Sequence, residues 1–404
     1  MKINRLIIQL IALILCVLGC ENKDFSNQKG TFLYDLTFLK KHYKNTFLLS
    51  QGDSRIIVTP ELQGRVMTSI INANEGESLG WINYDLIASG KIDPQFNPVG
   101  GEERFWIGPE GGQFSIYFEP NATFDFKNWK VPNVIDTEEF ELIYKTSTEA
   151  HFQKETSLFN YSGHRFELKV DRKIRLLDKA KGQAVLGTPI PDGLDMVAFE
   201  SENSITNMGQ TEWNKETGML SIWILSMLKP SDETTVAIPF KKGNKDSLGI
   251  IVTDNYFGKV PPDRLKIDDG VLFFKADGKK RSKIGLSPKR ALPFAGSYDS
   301  KNNILTIAQY TLEENQFDYV NSIWEIQDEP LAGDAVNSYN DGPLDNGEQL
   351  GPFYEIESSS RATNLKTDQK LTHIHRTFHF TGDENALNVL SVKFLNTPLK
   401  KIKL

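Results

Sequence analysis

Short runs rich in β-branched and aromatic residues dominate the chain beyond its first forty positions. Arg55 to Val58, Arg65 to Ile71, Phe114 to Phe118 and Phe140 to Tyr144 are such runs. So are Phe166 to Val170, Leu220 to Leu225 and Ile304 to Tyr310. Gly, Pro, Asn or Asp stands near most of them, the pattern of short strands between turns. No recurring strand–helix unit separates them, so the expected class is all-β, a large antiparallel sandwich with a few short helices. One amphipathic helix is expected over Phe32 to Leu39, ahead of Lys40 and Lys41. Another is expected near 383–395, where Asp383 can cap a run with Ala386, Leu387, Val389, Leu390 and Val392 in helical rhythm. Residues 31–404 read as one domain; a division near 178–195, where Lys, Gly, Pro and Asp gather, is the alternative.

The N-terminus departs from this pattern. Lys2 and Arg5 precede an apolar run from Leu6 to Leu18, and Val17-Leu18-Gly19-Cys20 resembles a bacterial lipobox. The expectation is a lipoprotein signal peptide over 1–19, acylation of Cys20 and a flexible tether over 20–30. That implies lipid anchorage to a bacterial envelope, Gram-negative, on the periplasmic or cell-surface side. The other of the two cysteines, Cys16, lies in the segment to be removed, which leaves no internal disulfide. A formal charge of −7 argues against a nucleic-acid partner.

Candidate chemistry gathers in five places. Near the C-terminus, Glu355 and Glu357 alternate on one expected strand, and His373 and His375 alternate on the next. If those strands pair as a hairpin, carboxylate bases and imidazole acids meet on one wall, which is equipment for proton transfer. The bland alternative is one pair facing solvent and the other capping a sheet edge. With a carboxylate, His-x-His would also suit zinc or a similar divalent ion, although no third ligand of fixed spacing is evident. The second place is Gly100 to Gly112, with five glycines, one proline and three acids in thirteen residues. There Arg104 and Glu110 offer charged hydrogen bonds, and Trp106 offers a stacking face for a sugar. A structural corner, with Arg104 paired to Glu103 or Glu110, is the competing reading. Asn207 and Glu212 flank a turn that could line the same cleft. Tyr339 and Asn340 belong to a polar loop, Asp334 to Pro343, that could fold back toward the carboxylates. Arg281 and Lys283 could bind an acidic sugar, with plain surface charge as the alternative.

Taken together, these residues resemble a known family. Gly-Arg-Val-Met at 64–67, the Gly-Gly-x-x-Arg-x-Trp-x-x-Pro-Glu run at 100–110 and the strand ending in Ile356-Glu357 are similar to the galactose mutarotase-like (aldose 1-epimerase) superfamily. The likeness spans roughly 45–382 and points to an uncharacterised branch of bacterial lipoproteins. It implies a β-supersandwich, a carbohydrate ligand and Glu357 as the base at the anomeric hydroxyl. It also implies an imidazole acid earlier in the chain. Here Asn207 to Trp213 holds no histidine, and none stands between His164 and His373. Either His373 or His375 takes the acid role, or the chemistry differs. The expected function is an exported carbohydrate-active protein of epimerase, lyase or hydrolase type, with no cofactor. The alternative is a non-catalytic sugar-binding lipoprotein.

Overall fold

A computed structural model describes residues 28–72, 76–344 and 346–404. The expected signal peptide, Cys20 and most of the expected tether lie outside the described residues. Three antiparallel sheets organise the rest. β1 (Phe47–Gln51), β2 (Ser54–Thr59) and β3 (Arg65–Ile70) form a small sheet in that order. β4 (Arg104–Gly108) belongs to a second sheet, described below.

The largest sheet has ten strands. Its first half in sequence is β5 (Glu141–Lys145), β6 (Glu149–Phe159), β7 (Arg165–Leu176) and β8 (Leu194–Asn207). β9 (Ser221–Leu225) leaves for the second sheet, and β10 (Thr234–Pro239), β11 (Leu265–Asp268) and β12 (Val271–Lys275) return to the large one. β13 (Ser282–Leu286) again joins the second sheet, whereas β14 (Phe294–Asp299) and β15 (Ile304–Tyr310) extend the first. β16 (Val336–Asn340) and β17 (Tyr354–Ser359) complete the second sheet, and β18 (Lys370–Gly382) sits centrally in the large one. The spatial orders are β11-β12-β10-β14-β15-β18-β8-β7-β6-β5 and β13-β16-β17-β9-β4.

Strict alternation builds the layers. Along β7 every second residue is buried, from Phe166 through Leu168, Val170, Arg172 and Ile174 to Leu176. The apolar ones among them meet Phe105, Ile107, Ile222 and Ile224 of the five-stranded sheet in one apolar core. A second core joins Val236, Leu272 and Phe274 to Ile284, Val336 and Ile356. Outside the large sheet, helix α1 (Glu384–Leu395) packs Leu387, Leu390 and Phe394 on Leu305, Ile307 and Phe378. Its N-cap is Asp383, whose side chain accepts from the amide of Ala386. No helix among the described residues is long and apolar enough to cross a membrane.

Two sequence expectations change here. Phe114 to Phe118 is not a strand, although Ile116, Tyr117 and Phe118 are buried. Ser115 ties this segment to the Glu110 carbonyl, and the Tyr117 hydroxyl donates to the Ile107 carbonyl, so its polar groups are satisfied without a ladder. The polar stretch after Asp334 is not a loop over Val336–Asn340 but the buried strand β16, paired to β13 and β17.

Candidate active site

One face of the five-stranded sheet carries the ionisable groups, and the register shows why. Arg104 and Trp106 of β4 oppose Leu225 and Trp223 of β9. Leu225 also opposes Glu357 on β17. Glu357 faces Asn337, and Glu355 faces Tyr339, on β16. Asn337 and Tyr339 in turn face Gly285 and Lys283 on β13. Directly opposed residues point the same way, so these ten positions share one face.

On that face the charges are paired closely. Arg104 Nη2 donates to Glu355 Oε1 at 2.5 Å, across 251 positions of sequence. Glu357 Oε2 accepts from Lys283 Nζ at 2.9 Å and from Trp223 Nε1 at 3.0 Å. Glu357 Oε1 is buried with no partner among the described residues. The Lys283 ammonium also lies over the Trp223 ring, 4.9 Å from its centroid, and the Arg104 guanidinium lies 5.0 Å from that of Trp106. Burial alone would lower the Lys283 ammonium, yet the Glu357 and Glu110 carboxylates outweigh it and hold it above its ordinary value. Burial pushes the Glu355 carboxyl well up, with Glu357 adding and Arg104 opposing.

Glu110 approaches from the loop after β4. Its amide donates to Ser322 Oγ, and its half-buried carboxyl interacts with the indoles of Trp324 and Trp129. Burial pushes that carboxyl up to about 7; Lys283 opposes the shift and Glu357 reinforces it. Trp129 stacks near-parallel on Tyr117, Phe126 and Trp324. Trp106 is packed edge-on against Trp223 and Phe96 and is 5% exposed, so it walls the site rather than presenting a free platform. On the far side Tyr256 donates to Asp334 and accepts from Asn337 Nδ2 at 3.0 Å. Gly285 makes room for them: a Cβ there would stand 2.2 Å from Asp334 Oδ2 and 2.4 Å from Asn337 Nδ2.

The histidine half of the expected wall is elsewhere. β17 and β18 do not form a hairpin; they belong to different sheets. β18 presents His373 and His375 to the opposite face of β17, where Ser358 Oγ bridges them at 2.8 Å to His373 Nε2 and 2.9 Å to His375 Nδ1. Ser358 lies one residue beyond Glu357, and alternation sends the two to opposite sides. Both histidines are fully buried, and burial holds both down to about 3, so they are neutral. The described residues contain no group of three His, Cys, Asp or Glu side chains able to hold a metal ion. His-x-His therefore gains no third ligand here.

Two further candidates are structural. Asn207 is buried and ties a turn together, donating to the Thr211 and Leu365 carbonyls and accepting from the Gly209 amide. Asn340 is buried on the opposite face from Tyr339 and bonds to Gly278 and Lys280. Glu212 makes no side-chain hydrogen bond or ion pair to the carboxylate cluster among the described residues. Tyr339 does face the site, with its hydroxyl donating to Asp341 Oδ1 at 2.6 Å. Trp223, Asp334 and Asn337 join the site outside the sequence expectations, and the sequence context of the last two does not single them out. For Trp223 the signal was available, as an indole at an alternate position of a run otherwise apolar.

This chain belongs to a family of unknown function (DUF6786), whose match spans residues 30–404. Comparison with curated proteins returns no match. Among solved structures it is similar to the Slr1438 protein of Synechocystis, at 12% identity, 84% coverage of this chain, 96% of that one and a TM-score of 0.49. It is also similar to a galactose mutarotase-like protein of Lactobacillus casei, at 8% identity, 83% and 100% coverage and a TM-score of 0.46. A galactose mutarotase related enzyme of Lactobacillus acidophilus is similar at 9% identity, 84% and 97% coverage and a TM-score of 0.42.

Proposed function

We propose that this protein is an exported carbohydrate-active enzyme that moves protons on a sugar, with Glu357 as base and Glu110 as acid. The observation that carries the reading is the pair of unlike carboxyls on one indole-walled face. Glu357 is held by Lys283 and Trp223 with Oε1 unpartnered, and Glu110 is pushed up to about 7. A carboxylate base and an acid that holds its proton near neutrality are what ring opening of an aldose requires, and Glu110 supplies the second. Glu357 Oε1 takes the proton of the anomeric hydroxyl, the C1–ring oxygen bond breaks as the C1 carbonyl forms, and Glu110 protonates the ring oxygen. Closure on the other face of the carbonyl returns both protons, so the reaction is an isomerisation. Glu355, locked to Arg104, is a positioning residue in this scheme.

Hydrolysis is less well served, because Glu355 and Glu357 alternate on one strand and aim the same way rather than flanking a bond. The test is polarimetry and product analysis on a panel of aldoses and oligosaccharides. Glu357→Gln and Glu110→Gln should each lower kcat by about 10²–10⁴, with KM little changed. Unchanged turnover in both variants would overturn the assignment. One observation favours a second reading, a non-catalytic sugar-binding lipoprotein: Glu355 and Glu357 each already carry a cation. Sugar binding without turnover by the wild type would select it. Lipid anchorage through Cys20 is part of the proposal on the strength of the lipobox-like sequence. Fatty-acid labelling that persists in Cys20→Ala would remove it.

A further inference from the structure

We propose that Arg281 is the receptor for an anionic substituent, a carboxylate or a sulfate, on the sugar bound beside Glu357; this rests on the carbohydrate reading above. Arg281 immediately precedes β13 and stands two residues before Lys283, so alternation directs both toward the same side. Its guanidinium lies over the Phe257 ring, 3.9 Å from the centroid. Phe257 is 47% exposed and meets Tyr339 edge-on at 5.8 Å. Tyr339 is the residue opposite both Lys283 and Glu355. Arg281 thus stands at the open rim of the same wall.

What sets Arg281 apart is what it lacks. Arg104, Arg172, Arg175, Arg264, Arg361 and Arg376 each reach a carboxylate. Among the described residues the Arg281 side chain makes neither an ion pair nor a hydrogen bond, whereas Arg65 and Arg290, which also make no ion pair, each donate to oxygen acceptors. Asp341, two residues beyond Tyr339, is already occupied, since it accepts from the Tyr339 hydroxyl and the Gly351 amide. A guanidinium held over a ring by cation–π attraction keeps N–H groups that can fork onto a planar or tetrahedral anion. Lys283 cannot serve this purpose, because Glu357 uses it. A neutral sugar would leave the Arg281 donors unmatched; a uronate or a sulfated sugar would fill them.

The experiment is titration calorimetry with the full chain on galactose, galacturonic acid and galactose 6-sulfate, together with glucose and glucuronic acid. The wild type should bind at least one acidic sugar about tenfold or more tighter than its neutral counterpart. Whether the uronates or the sulfate show the gain identifies the anion. Arg281→Gln should erase that preference and leave the neutral sugar's affinity unchanged, and Arg281→Lys, which keeps charge without the fork, should restore only part of it. Equal affinities in the wild type, no binding of any of these sugars, or an equal loss for acidic and neutral sugars in Arg281→Gln would each overturn the proposal. The acid–base reading fails separately: full turnover in both Glu357→Gln and Glu110→Gln sinks that reading, while an Arg281-dependent acidic preference still stands.

Discussion

The two faces of β17 differ more than their spacing suggests. Glu357 and Ser358 are adjacent and both buried, yet one meets an ammonium and an indole and the other meets two neutral imidazoles. The Glu357 side leads outward past half-buried Glu110, Tyr256 and Arg281. The Ser358 side is sealed between sheets, in a layer where Arg172 and Glu103 are also paired without exposure. Charges near an opening can serve a ligand, whereas charges between sheets are held by their partners. Burial alone therefore does not identify the chemistry, nor does an unpartnered atom, since His373 Nδ1, His375 Nε2 and Glu103 Oε2 on the sealed side also lack partners among the described residues; access does.

The largest effect that separates the regions is on stability. Arg172 donates to Glu103 Oε1 at 2.9 Å and to Asn203 Oδ1 at 2.7 Å. Burial pushes the Glu103 carboxyl up and the Arg172 guanidinium down, each held back by the other. Arg172→Met should cost roughly 3–5 kcal/mol in urea unfolding, because it strands a buried carboxylate. Sugar affinity of the fraction that remains folded should be unchanged. A variant that stays stable but loses sugar binding would merge the two regions into one site.

The sequence disclosed the parts of this arrangement better than their pairing. Strand composition exposed β7, β9 and β15, and the Gly-Pro punctuation around Arg104 and Glu110 marked a segment that aims charges, although Arg104 lies on strand β4 and only Glu110 on the loop after it. Side-chain alternation correctly placed Glu355 beside Glu357 and His373 beside His375. It could not say which strands would be neighbours. β17 and β18 follow each other in sequence and read as a hairpin, yet each finds its partners in a different sheet. Pairing across the 251 positions between Arg104 and Glu355 leaves no local trace. Asn207 and Asn340 misled for a related reason, since an amide that satisfies backbone groups in a turn has the same composition as one that binds a ligand.

Acid should distinguish the two regions next. The imidazoles of His373 and His375 sit at about 3 rather than the ordinary 6.5. The unfolded chain therefore takes up protons first as pH falls. Their contribution is complete above about 6.5 and is lost toward about 3, at about 1.4 kcal/mol per pH unit for each imidazole. Glu110 runs the other way: its folded value of about 7 lies above the ordinary 4.5, so its contribution is complete below about 4.5 and is lost as pH rises through about 7. Thermal melts across this range should show the acid-side decline flattened in a His373→Gln, His375→Gln double variant. Activity should fall as pH rises through about 7, when the Glu110 acid loses its proton. A parallel shift of both profiles in the double variant would contradict the separation.

The smallest effect tests alternation itself, on two neighbours of β16. Asn340 is fully buried, donates to the Lys280 carbonyl at 2.9 Å and accepts from the Gly278 amide at 2.8 Å. Asn340→Ala leaves those backbone groups unsatisfied and should cost about 1–3 kcal/mol, with sugar affinity unchanged. Tyr339 points the opposite way, and its hydroxyl makes one hydrogen bond, to Asp341. Tyr339→Phe removes that bond and keeps the ring packed on Phe257 and Phe353, so stability should fall by only about 0.5–1.5 kcal/mol. Asp341, released from the hydroxyl, becomes free to compete for Arg281 at the rim. That should weaken acidic sugars by a few fold while neutral sugars hold. Urea unfolding and calorimetry on the two single variants give both readouts. If Asn340→Ala weakened sugar binding and Tyr339→Phe did not, the face assigned to each residue would be reversed, and the site would have to be rebuilt from the other side of the sheet.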